Sequence, residues 1–122
     1  MNPEAALAPL LNRENLIVAT TAGLILQFAM VVAGHYSPPV KAGFAVGGML
    51  ISFLAGLLYA RLAPAGWAGA CIGGAIAGGA CAVIAIAVSV SLKDVPPQIL
   101  LLGTMASAVT GVAGGAIARL MA

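Results

Sequence analysis

Residues 71–81 read CIGGAIAGGAC, four glycines in eleven residues, with Ile72 and Ile76 the only bulky side chains. The stretch is uncharged and lies inside a longer apolar run, so it has the setting of a helix but almost none of the side chains. In water each such glycine would weaken a helix by about 1 kcal/mol relative to alanine. In lipid the backbone must satisfy its own hydrogen bonds, and the helix persists. The missing side chains then allow a neighbouring helix to come close. Ala65, Gly69, Gly73, Ala77 and Cys81 put a small residue at every fourth position, the pattern of tight helix pairs. Ala70, Gly74 and Gly78 form a second row beside it, while Ile72, Ile76 and Val83 share one narrow stripe. A helix that is small around most of its circumference belongs in the middle of a bundle.

Composition gives that bundle its solvent. Of 122 residues, 62% are hydrophobic and 7% charged, where soluble domains carry about 25% charged residues. A chain this short cannot hide so much apolar surface in a water-facing core, which makes the lipid bilayer its first partner. Five Lys/Arg against three Asp/Glu give a net charge of +2. They are scattered and form no basic run, so nucleic acid is not an expected partner. Cys71 and Cys81 stand ten residues apart on one helix, about 15 Å at the usual rise and too far for a disulfide. They read as small apolar residues.

Polar and proline-containing breaks divide the chain into four spans of 19 to 25 residues: 16–34, 39–62, 67–91 and 97–120. Each is long enough for a hydrocarbon core about 30 Å thick. Residues 1–12 open with Asn2-Pro3-Glu4, a helix-starting pattern, and read as a short interfacial helix weakened by Pro9. Val31-Val32-Ala33 would pass as a signal-peptide cleavage site. Glu4 and Glu14 against Arg13 make the wrong leader for one, and the segment is read as a span. The expected fold is thus an all-α integral membrane protein, one domain of four transmembrane helices arranged as two tandem hairpins, 16–62 and 67–120.

The hairpins look duplicated. At an offset of 58 positions, residues 37–62 match 95–120 in seven of 26 places, including Pro38-Pro39 with Pro96-Pro97 and Ala60-Arg61-Leu62 with Ala118-Arg119-Leu120. Two spans per unit imply a parallel repeat about an axis along the membrane normal. The offset also aligns a small-residue row on the second span (Gly48, Ser52, Gly56, Ala60) with one on the fourth (Ala106, Thr110, Gly114, Ala118). Internal packing is the first use expected of these rows, self-association the second and the lining of a narrow passage the third.

Orientation follows from the cations. Arg13, Arg61 and Arg119 fall on one side, Lys41 and Lys93 on the other, so both termini are expected in the cytoplasm of a bacterial inner membrane. Arg61 and Arg119 read as snorkelling interface markers. No acidic residue lies inside a span, which removes the usual carrier of proton coupling. Gln27 is the one deep amide and is expected to bond between helices. His35, Lys93 and Asp94 read as a polar loop cluster. The sequence has no metal spacing, phosphate loop or haem motif, and neither a cofactor nor catalysis is expected. The function that follows is a non-catalytic accessory or assembly subunit, working through helix packing with other membrane subunits or with itself. A holin-like pore, channel or small-solute transporter is the alternative.

Overall fold

Helix α1 (Arg13–Tyr36) starts where Asn12 caps it, its side chain accepting from the Asn15 backbone N–H at 3.0 Å. In this computed structural model, residues 11–63 and 66–121 are described; they are helical apart from turns, with no strand among them. The interfacial segment expected over residues 1–12, and Ala65, fall wholly or mostly outside them. Four helices follow α1: α2 (Pro38–Ala42), α3 (Phe44–Leu62), α4 (Trp67–Ser91) and α5 (Gln98–Met121). The four long helices α1, α3, α4 and α5 are long and apolar enough to cross a membrane, with mean hydropathy of 1.6 to 2.3 over their most apolar stretches.

The second span departs from its expected form. It is not one helix from Pro39: the chain breaks at Gly43, whose N–H bonds back to Val40 O at 3.0 Å in a tight turn. Pro38 and Pro39 lack N–H groups, so they can only begin a helix, and here they begin the five-residue α2. Past the break, Phe44 lies on Gly34, where a methyl group would fall on its ring. The second proline pair acts on a longer element. Pro96 O and Pro97 O accept from Ile99 and Leu100, each at 3.0 Å, as α5 starts.

Helix α4 ends in a Schellman motif. Asp94 N–H bonds to Ser89 O and Lys93 N–H to Val90 O, both at 3.0 Å. Lys93 takes the left-handed position with φ 62°, a place glycine usually fills. This turn aims Asp94 back toward the end of α1.

Helix α4 sits in the middle, with eleven buried residues where α1, α3 and α5 have five each. It packs against all three, α3 also touches all the others, and α1 and α5 do not touch. The two rows on α4 serve different neighbours. Gly73 lies against the Tyr59 ring of α3, and Cys81 packs on Gly23 of α1, where a methyl group would be 3.0 Å from its sulfur. Gly74 and Gly78 meet α5. A methyl group on Gly74 would land on Gly111 O; one on Gly78 would lie 2.9 Å from Gly111 Cα and 3.0 Å from Ser52 O. Gly56 of α3 meets the same Gly111 carbonyl. Four glycines on three helices therefore meet at one junction, and none can carry a side chain without moving a backbone.

Contacts at the ends pair the helices. Asn12 N–H donates to Tyr59 Oη at 2.9 Å and Asn15 Nδ2 to Leu62 O at 3.1 Å. The Arg119 guanidinium lies 5.8 Å from the Trp67 ring centroid. The arginines thus gather at one end, with His35, Lys41 and Asp94 at the other. Exact equivalence of the hairpins is absent, since α3 touches α4 but α1 does not touch α5. Residues aligned at offset 58 share environments only in part: Gly56 and Gly114, and Ala60 and Ala118, are buried in both hairpins, whereas Ala55 and Tyr59 are buried and Ala113 and Ile117 exposed.

Candidate functional site

Helices α3 and α4 come close at mid-span, where a methyl group on Gly78 would lie 3.0 Å from Ser52 O. Toward the lysine end the helices leave a cavity of about 440 Å³ between them, walled by α1 on one flank and α5 on the other. That volume lies within the range of about 300–1,000 Å³ found for small-molecule sites. Its walls are mainly apolar, among them Met30, Val31, Phe44, Ile86 and Ile99. Met49 of α3 and Leu102 of α5 line it and are also 39% and 62% exposed, so the cavity opens sideways between these helices.

Its floor is a hydrogen-bonded chain across three helices. Gln27 Nε2 donates to Gly48 O at 3.1 Å and to Ser52 Oγ at 3.2 Å; Ser52 Oγ donates to Gly78 O at 3.1 Å. Cys81 Sγ donates to the same carbonyl at 3.3 Å. Since Gly48 O can only accept, the amide nitrogen must face it, and this turns Gln27 Oε1 away from the chain. No donor among the described residues meets that oxygen, nor does any partner meet the hydroxyls of Ser89 and Ser107. All three residues line the cavity at 3–4% exposure.

The roof is ionic. Asp94 accepts from His35 Nδ1 at 2.8 Å and from Lys41 Nζ at 3.0 Å. The His35 hydrogen bond, then Lys41, holds the Asp94 carboxyl below the usual carboxylate range. A carboxylate can only accept, so His35 carries its hydrogen on Nδ1. Lys41 borders the cavity, as do Val95 and Pro96, which follow Asp94, and this places the cluster over its lysine end.

The residues singled out from the sequence divide between the junction and the cavity. Gln27 and Ser52 meet at the floor; Gly48 and Ala106 line the wall. Gly56, Gly74, Gly78 and Gly114 lie at backbone contacts, Gly114 on Phe53 O. Gly69, Ala77, Ala60 and Ala118 are buried among helices. Thr110 is half-buried and donates to Ser107 O at 2.9 Å. The row reasoning missed is Ser107, Gly111 and Gly115, which makes the α5 side of the junction; Gly115 meets Ala70 O. Its signal was in plain view, a small residue every fourth position one place along from the row that the 58 offset selected. Of the expected polar loop cluster of His35, Lys93 and Asp94, the structure keeps His35 with Asp94, adds Lys41, and gives Lys93 to the backbone turn.

No group of three metal-ligating side chains occurs among the described residues. No family model matches the chain, and no curated protein or solved structure matches it.

Proposed function

We propose that this chain is a non-enzymatic, multi-pass integral membrane protein that works as a small-solute transporter, with the cavity between its four long helices as the binding station. The observation that carries the reading is the cavity itself: 440 Å³, closed below by the glycine junction and capped by one ion cluster. Membrane insertion is supported by the length and hydropathy of the four long helices and by the apolar outer surface, where Ile25, Val46, Leu101 and Val109 are more than half exposed. A bacterial inner membrane with cytoplasmic termini fits the three arginines gathered at one end. Duplication of a hairpin remains the proposed origin, supported by Arg61 and Arg119 at that end, with divergence having drawn α4 to the centre.

Within the long helices every glycine is buried or half-buried, in line with internal packing as the first use of the small-residue rows. Flux assays in proteoliposomes test the transporter. Passage of small neutral solutes should exceed that of empty vesicles, and Ala106→Phe, which fills the cavity from its wall, should abolish it while thermal stability is retained. Equal leak with and without protein, joined to co-purification at fixed stoichiometry with a larger complex, would return the accessory reading to first place.

A further inference from the structure

The open question at this cavity is what chemistry it accepts. Three side chains at least 96% buried, Gln27, Ser89 and Ser107, turn polar atoms into it that no described residue satisfies. The buried side-chain atoms left without a partner among the described residues are Thr104 Oγ1 and Arg119 Nε; those of Gln27, Ser89 and Ser107 are open to the cavity, whose occupant supplies their hydrogen bonds. The directions are specific. Gln27 Oε1 can only accept, because its amide nitrogen is held by Gly48 O and Ser52 Oγ. The Ser107 hydroxyl can donate or accept. Both residues come near Gly78: the backbone carbonyls of Ser107, and of Ser52 whose hydroxyl Gln27 bonds, would be 2.9 and 3.0 Å from a methyl group added there.

A hydroxyl group meets both demands, donating to Gln27 and accepting from Ser107. A charged solute finds no free counter-charge here: Lys41, the one charged residue on the lining, is already paired with Asp94 at 3.0 Å. The sideways opening past Met49 and Leu102 faces the surface that the transmembrane reading assigns to lipid, and the walls are apolar. We infer that the cavity binds an uncharged, lipid-soluble alcohol or phenol, which enters sideways from the bilayer, hydroxyl first, and is held between Gln27 and Ser107. This rests on the reading of the cavity as a solute site and adds the class of solute.

The test uses the full chain in lipid nanodiscs with three diazirine probes of equal chain length: an alkanol, the matching alkane and the matching primary ammonium. Photolabelling is mapped by mass spectrometry. The alkanol should label Ile86 or Ile99 saturably, and unlabelled alkanol should compete. The alkane and the ammonium should label these positions about tenfold less, the factor one hydrogen bond supplies. Ser107→Ala, which removes only one hydroxyl, should weaken alkanol labelling several-fold at unchanged thermal stability. Gln27→Met should weaken it further and leave alkane labelling unaltered. Equal labelling by alkane and alkanol would overturn the alcohol assignment and leave the solute site standing. Unsaturable labelling by every probe, in protein that still passes neutral solutes in vesicles, would also overturn it. If labelling and passage both fail, the transporter reading falls with it.

Discussion

Lys93 holds a left-handed backbone, φ 62°, to complete the cap of α4. That conformation costs a side-chain-bearing residue about 1–2 kcal/mol and costs glycine almost nothing. Lys93→Gly is therefore expected to stabilise the folded protein by about 1 kcal/mol, read as a raised midpoint in thermal unfolding. Its neighbour Asp94 predicts a pH response. Its carboxyl is held below the usual value near 3.9, so the stabilisation is complete above that value and is lost as pH falls through the lowered folded value. Thermal unfolding followed from about pH 7 to about pH 3 should show the loss only at the acidic end. Asp94→Asn should lower stability at neutral pH and flatten that acid step. The sequence placed His35 and Asp94 at the same end, because span counting alone does so. Their pairing depends on the turn at Lys93, which no local pattern announces, since lysine is a poor marker for a left-handed cap.

At the scale of the helix, α4 shows why small residues are not interchangeable along one row. A methyl group on Gly74 would meet the Gly111 carbonyl, which cannot move without α5. One on Gly79 would sit 3.4 Å from Ala108 Cβ, an ordinary contact. Gly74→Ala is expected to destabilise by about 1–3 kcal/mol or to part α4 from α5. Gly79→Ala should be neutral or mildly stabilising, alanine being the better helix former. Unfolding of both variants in one detergent, with a Gly79 loss as large as that at Gly74, would remove the junction as the explanation. The same logic applies at Gly73, where Gly73→Leu would drive into Tyr59 while Ile72→Leu changes a side chain 40% exposed. The rows on α4 were legible because its bulky residues leave only one stripe. On α5 the offset selects only one of two adjacent rows about 100° apart, and the structure uses both: Gly114 meets α3 at Phe53 O, while Gly111 and Gly115 meet α4 at Gly74 O and Ala70 O.

For the whole molecule, the four spans and the grouping of arginines could be read from breaks and charges, while the cavity could not. It arises where α3 and α4 separate above their glycine contacts, and that depends on tertiary packing rather than on any segment. Its place in the membrane follows from orientation. With Arg13, Arg61 and Arg119 inside, the mouth under His35, Lys41 and Asp94 opens in the outer half of the bilayer, and a lipid-soluble solute would be taken from that leaflet. Single cysteines settle the sense in a background of Cys71→Ala and Cys81→Ala. Tyr36→Cys, at a position 82% exposed, should react with an impermeant thiol reagent added to intact cells. Gly66→Cys, exposed at the opposite end, should react only after the cells are opened. The reverse pattern would turn the cavity mouth toward the inner leaflet and reverse the direction from which the solute arrives, with the floor of Gln27 and Ser107 unchanged. Reaction of both sites from outside would mean that the helices between them do not span, and the transporter reading would end there.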